Sequence, residues 1–301
     1  MEDIVRIKEN KRSKTGFTLI ELLVVISIIA LLMGILLPVL GRARESARSI
    51  VCIGNVRRIS MAGYIYALEG DGAFPPYRMR RAKPTDPDGY VNEYKRKNPR
   101  WHWSFDHGIG PVIDPSPYIE SINSKGYFGD DDTLIITNDY FMCPSFKHSG
   151  FDKRDIRNGS YGYNYQYLGN PRLTGDGVRF QNFPVYLTKL RHPSETVIIA
   201  DSRGGGIPHG KHSYTLDPPK IAHSKRAWQF GYTDIGPVIA QQHSPAEVRH
   251  NGKANVSFVD GHAEHMSLTE LGYVLDSDGN VIADHPGGSN RLWSGTGRNE
   301  P

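Results

Sequence analysis

From Phe17 to Leu40 the chain reads FTLIELLVVISIIALLMGILLPVL, an apolar run in which Glu21 is the one ionisable side chain and Pro38 the first break. At about 1.5 Å per residue such a run spans the ~30 Å hydrocarbon core of a bilayer, so it predicts a membrane-crossing helix. Beyond Leu40 the pattern changes period instead of stopping. Apolar or small residues recur at Cys52, Val56, Ile59, Gly63 and Tyr66, in steps of four and three, while Arg48, Arg57 and Arg58 fall off that line. This is one stripe of an amphipathic helix. The two halves together predict a single helix, roughly 80 Å long, whose second half lays one face on a globular domain.

After Gly70 the helical period is lost. Residues 70–117 mix Pro, Gly, Tyr, Trp, Arg and Lys with no sustained repeat, which predicts a long loop. Its interleaved basic and aromatic side chains suit either a solvated surface or a polyanion. Strand-like runs follow at Thr133–Thr137, Tyr140–Cys143, Ser160–Tyr167 and Thr196–Ala200. Within SYGYNYQYLG the residues Tyr161, Tyr163, Tyr165 and Tyr167 alternate and would line one face of a strand. That ladder can pack on the long helix or a second sheet, or offer a sugar-binding surface. The stretch EVRHNGKANVSFVDGHAEHMSL carries two-residue turn signals at Asn251-Gly252 and Asp260-Gly261, and predicts a three-strand antiparallel meander with type I′ turns.

Composition narrows the class. Glycine (32) and proline (20) make up more than a sixth of the 301 residues, and the mean hydropathy of −0.46 is low for a chain with a membrane segment. The exported part is therefore polar and rich in turns. The net charge is +4, and the first sixteen residues hold five basic and three acidic side chains, so their removal leaves +2. Global charge gives no case for a nucleic-acid partner.

The apolar run is longer than that of a secretory signal, and the small residue Gly16 precedes it instead of following it, so a cut there would leave the helix attached. A carboxylate in the first membrane turn costs a few kcal/mol and needs a reason. The segment Lys14-Thr15-Gly16-Phe17-Thr18-Leu19-Ile20-Glu21 resembles the cleavage and methylation site of the type IV pilin and type II secretion pseudopilin superfamily. The resemblance implies that a prepilin peptidase/N-methyltransferase cuts after Gly16 and methylates the new amino terminus at Phe17. It also implies that Glu21, the fifth mature residue, meets the terminal charge of a neighbouring subunit during assembly, an ion pair that offsets the cost of burying either charge. Pro38 coincides with a proline that often bends the helix in that family, or is a kink of no consequence. Basic leader residues stay on the cytoplasmic side of the bacterial inner membrane, which puts the carboxy-terminal domain in the periplasm or outside the cell.

His250, nine intervening residues and Asp260-Gly261 form an H-X9-DG pattern similar to that of a large pseudopilin-like family with a prepilin signal. Met142-Cys143-Pro144-Ser145, Ser160-Tyr161-Gly162 and Ala200-Asp201 also resemble that family. The motif itself names no activity. His250 and Asp260 lie at opposite ends of one predicted strand, ~25 to 33 Å apart, so turn roles suit them better than a common metal site. The histidines, His262 and His265 among them, show no spacing typical of metal ligands, though Asp201 with His209 and His212 leaves open an incidental calcium or zinc site. No nucleophile elbow or phosphate loop is present. The expectation is therefore no metal, no cofactor and no enzymatic activity. Cys52 and Cys143, the only cysteines, sit on the exported side, where a bridge persists and ties helix to sheet; the other possibility is two unlinked buried thiols.

The expected fold is α+β and pilin-like. Residues 1–16 form the leader, 17–40 the transmembrane helix, 41–69 its amphipathic continuation, 70–284 the globular domain and 285–301 a flexible tail. The expected role is a structural subunit, a pseudopilin or minor pilin of a type II secretion or type IV pilus-like system, with other pilin-like subunits as partners. The alternatives are a membrane-anchored envelope protein whose domain binds glycan, metal or another surface polymer, and an exported hydrolase using Asp201 and the histidines.

Overall fold

The computed structural model describes residues 18–69, 72–75, 119–121, 134–136, 139–146, 160–169, 171–173, 180–182, 185–202, 215–220 and 243–299. Gly16, Phe17, His209, His212 and nearly all of the basic, aromatic loop lie outside them. Two units are distinguished, residues 1–44 and residues 45–301.

Helix α1, Leu19–Glu69, runs unbroken through Pro38 and contributes to both units. In the first unit its side chains are exposed all round, from Leu19 and Ile20 to Val39 and Leu40. Among the described residues α1 is the one helix long and apolar enough to cross a membrane. Thr18 starts it: the Thr18 hydroxyl accepts from the Glu21 N–H at 3.3 Å, and Glu21 Oε2 accepts from the Thr18 N–H at 2.9 Å and from its hydroxyl at 2.8 Å. This is a capping box, in which two otherwise unpaired donors at a helix start are satisfied reciprocally.

In the second unit, α1 buries Cys52, Val56, Ile59 and Gly63 and leaves Arg48, Arg57 and Arg58 exposed, as the stripe predicts. A four-stranded antiparallel sheet in the order β3-β6-β7-β8 provides the scaffold, with β3 at Tyr161–Tyr163, β6 at Val197–Asp201, β7 at Ala254–Phe258 and β8 at Ala263–Met266. Two further antiparallel pairs stand apart from it: β1 (Ile119–Ser121) with β2 (Leu134–Ile136), and β4 (Pro171–Leu173) with β5 (Phe180–Asn182). One long amino-terminal helix with an antiparallel sheet is the α+β, pilin-like layout expected.

The sheet carries two apolar clusters. One joins Cys52, Val56, Ile59 and Ala62 of α1 to Cys143, Tyr161, Tyr163, Tyr165, Ile198 and Ile199. The other gathers Ala254, Val256 and Phe258 of β7 with Leu216, Leu268, Leu271, Tyr273 and Trp293. Alternation along β7 puts Asn255 and Ser257 on the opposite face from that second cluster. At Gly162 the backbone passes so close to the Thr215 carbonyl that a Cβ would collide with it.

Several expectations need correction. Tyr140–Cys143 is not a strand; Asp139–Phe141 is a single 3-10 turn that delivers Cys143 inward. The tyrosine strand stops at Tyr163, because the chain turns back over residues 165–168 with Leu168 N–H on the Asn164 carbonyl. Tyr161, Tyr163 and Tyr165 are buried with α1, so the ladder packs and offers no sugar-binding face. The meander has two strands: the segment before Asn251 forms only isolated bridges, Ala246 to Ser202 and His250 to Lys253, and the second neighbour of β7 is β6. Asn251 (φ 53) and Gly252 (φ 77) fit the type I′ turn expected. Asp260-Gly261 does not. Phe258 N–H bonds the His262 carbonyl, and only Gly261 (φ 90) is left-handed, which makes a three-residue loop ending in a glycine bulge. Finally, residues 285–299 are no loose tail. Trp293 is fully buried, and the Val197 N–H at the start of β6 donates to the Leu292 carbonyl.

Candidate functional site

The residues singled out by their chemistry converge beside the middle of α1. The Asn251-Gly252 turn folds the chain before β7 back so that His250 points inward, almost fully buried. Its Nδ1 lies 3.1 Å from Glu45 Oε1, and its Nε2 lies 3.5 Å from Cys143 Sγ and 3.7 Å from Asp201 Oδ2. Cys143 Sγ stands 2.7 Å from Cys52 Sγ, both cysteines being free and buried. Ser145 donates to Glu45 Oε1 at 3.1 Å, and Asn55 Nδ2 donates to the Met142 carbonyl and the Tyr161 hydroxyl, each at 3.3 Å.

Asp201, at the end of β6, is held by the Asn255 N–H at 2.8 Å on Oδ2 and by Arg249 at 3.4 Å on Oδ1. The Arg249 guanidinium, itself buried, also donates to the Ser160 and Ser202 carbonyls and to Glu247, and lies over the Phe146 ring at 4.4 Å. Each ionic group here is surrounded by partners. That is the condition under which charges persist away from water.

The H-X9-DG pattern thereby acquires a physical meaning. Its histidine touches Glu45 near the start of the docked part of α1, and Gly261, at the other end of β7, lies against Met61. Sixteen helical residues separate those two contacts, about 24 Å of helix. The two ends of the motif therefore bracket the helix face that the sheet covers. Asp260 stays outside, accepting from His262 Nδ1 at 2.6 Å on the exposed loop, while His262 stacks on Phe258. The expectation of opposite strand ends for His250 and Asp260 holds, but His250 does more than flank a turn. Its nitrogens and the two sulfurs form a group of possible metal donors within 4.8 Å of one another.

Sequence reading missed Glu45 and Arg249, which carry no motif, and named Ser145 only as part of the Met142–Ser145 resemblance. Thr18 could have been found: Thr18-x-x-Glu21 is a capping-box signature in front of an apolar run.

Burial and neighbours set the protonation of this junction. In the reduced protein the Cys52 thiol donates to the Cys143 sulfur, and His250 and Arg249 add positive charge beside it, so Cys143 is held down at about 4 while Cys52 is pushed up. Burial raises Asp201 to about 7 against the pull of Arg249 and the Asn255 N–H. For His250 burial works downward, but hydrogen bonding to Cys143, the charges of Asp201 and Cys143 and the hydrogen bond to Glu45 outweigh it and leave it above the usual imidazole value. Raised groups such as Asp201 and His250 contribute stability that is lost as pH rises, for Asp201 between the ordinary carboxylate range and about 7, and for His250 above the ordinary imidazole value. Cys143 has the opposite sign: its contribution is present above the ordinary thiol value and lost as pH falls toward about 4. Under reducing conditions Cys143→Ser is therefore expected to move the pH of greatest thermal stability downward. A melting-temperature profile that does not move would show that Cys143 stays a neutral thiol.

A pilin-like α+β layout goes with an apolar helix that is exposed around its circumference, capped at Glu21, and long and apolar enough to cross a membrane. Residues 11–37 match the family model described as the prokaryotic N-terminal methylation motif. No curated protein and no solved structure matches the chain.

Proposed function

We propose that this chain is a structural pilin-like subunit, a pseudopilin or minor pilin of a type II secretion or type IV pilus-like system. The observation that carries the reading is the apolar half of α1 with its single carboxylate, preceded by the matched motif. Prepilin peptidase cuts after Gly16 and methylates Phe17, and the sheet domain stands on the periplasmic or outer side of the inner membrane. Glu21 then works twice. Its Oε2 caps its own helix, and the carboxylate charge receives the terminal ammonium of a neighbouring subunit in an apolar bundle, where an unpaired charge is expensive. The domain acts by packing and not by catalysis.

Two substitutions separate the roles of Glu21. Glu21→Gln keeps the side-chain oxygen that caps Thr18 but loses the charge, whereas Glu21→Val loses both. Both variants are expected to insert in the membrane, and both to lose the ladder of oligomers that single cysteines at Ile28 or Leu31 give on crosslinking. A wild-type ladder that survives Glu21→Val would sink the assembly role. No ladder in the wild-type protein would make the chain a lone anchor for an envelope-binding domain.

A further inference from the structure

The paired cysteines are buried inside the domain and need their own account. Cys52 comes from α1 and Cys143 from the turn after Asp139–Phe141, 91 positions away, and their sulfurs lie 2.7 Å apart in the buried cluster. A disulfide holds its sulfurs at about 2.05 Å. Two thiolates on one tetrahedral zinc stand roughly 3.8 Å apart, since each Zn–S bond is about 2.3 Å. The observed spacing is nearer the bond.

The donor set points the same way. A metal bound by Cys52, Cys143 and His250 would need a fourth ligand to complete a tetrahedron. The one nearby carboxylate that is fully buried, Asp201, has each oxygen engaged, by Asn255 and by Arg249. Both His250 nitrogens face acceptors, Glu45 on one side and Asp201 with Cys143 on the other. A ring that donates from both nitrogens keeps no lone pair for a metal.

We propose that Cys52 and Cys143 are joined by a disulfide in the exported protein, and that His250 of the H-X9-DG pattern is its lid, closing the bond off between Glu45 of α1 and Asp201 of β6. The bond forms by thiol exchange with a disulfide-bearing oxidant of the cell envelope. One cysteine thiolate attacks a sulfur of that oxidant and expels the other as a thiolate. The second cysteine, deprotonated in turn, attacks the sulfur of the mixed disulfide and expels the remaining oxidant thiolate. Two protons and two electrons leave the protein, and the oxidant departs as a dithiol. Exchange takes place while the chain is open, because the folded domain buries both sulfurs. The result is a covalent tie between helix and sheet, whether the protein works in a filament or as a lone anchor.

Intact-mass measurement of the full-length protein decides the matter. Membranes are denatured in the presence of an alkylating agent, so that any free thiol is reached, and the chain is weighed before and after reduction, with bound zinc and copper measured on a separate, natively purified sample. The expected result is no alkyl group before reduction, two after it and no stoichiometric metal. Two alkyl groups without reductant, or one metal ion per chain with thiols released by a chelator, would overturn the bond. For the lid, His250→Gln and the milder Glu45→Gln are compared with wild type in the rate at which the folded protein is reduced. An acceleration of about tenfold is expected for His250→Gln, with Glu45→Gln in between. Rates equal to wild type in both variants would overturn the lid and leave the mass result to stand alone.

Discussion

Arg249→Met is expected to destabilise the sheet domain by about 3–5 kcal/mol, the range for removing one partner of a buried ion pair. The guanidinium is almost wholly enclosed and satisfies four groups at once: the carbonyls of Ser160 and Ser202 and the carboxylates of Asp201 and Glu247. Methionine preserves much of the apolar packing over Phe146 but none of the donors. Asp201, fully buried, then keeps only the Asn255 N–H and a distant His250 nitrogen. Denaturant unfolding of the full chain in detergent would measure the loss. The double variant with Asp201→Asn should recover part of it, since the amide no longer needs a counter-charge. A loss below about 1 kcal/mol for the single variant would mean that water reaches the carboxylate and that the junction is not the sealed ionic site described.

An effect of similar size is expected at the carboxy terminus. Trp293→Ala should cost about 3–5 kcal/mol, as large-to-small changes of buried aromatic residues do. The indole is fully enclosed, donates from Nε1 to the Leu271 carbonyl at 2.9 Å and meets the Tyr273 ring edge-on at 5.7 Å. Its carbonyl accepts from Asn164 Nδ2, which also holds the Val197 carbonyl at the start of β6. Removal of everything after Asp284 should therefore do more than shorten the chain: it opens the face of β7 formed by Ala254, Val256 and Phe258. Thermal melting of both variants tests this. A truncated protein that melts with wild-type cooperativity would show residues 285–299 to be an accessory.

These two positions also show where sequence reading stops. The helix, its stripe at Cys52, Val56 and Ile59, the strand expected at Thr196–Ala200 and found at Val197–Asp201, and the Asn251-Gly252 turn are legible because their signals are local: a period, a β-branched run, a pair of residues that accept positive φ. Trp293 was lost because it sits among Gly, Ser, Asn and Arg, a composition that reads as a tail, and its burial depends on a cavity built from residues 20 to 130 positions away. Arg249 and Glu45 were lost for a related reason. Nothing in their neighbourhoods distinguishes a buried charge from a solvated one, and only the fold brings Asp201, Ser160 and Ser202 around the first or His250 and Ser145 onto the second. The tyrosine run misled in the opposite direction. Its alternation is real, but Asn164 spends its side chain on the Val197 and Trp293 carbonyls, and the chain turns there. Cys52 and Cys143 were legible as a pair and His250 as part of a motif, but not as members of one junction.

Glu45 and His250 meet across 205 positions of sequence. Chains are made amino terminus first, so the helix is delivered long before residue 250 exists. Contacts of such long range close late and slowly. Throughout that interval the stripe from Cys52 to Tyr66 has no sheet to lie on, and it is an adhesive surface exposed to every other nascent chain. Until the His250 contact closes, that stripe is open to mispairing and the two sulfurs are open to an oxidant.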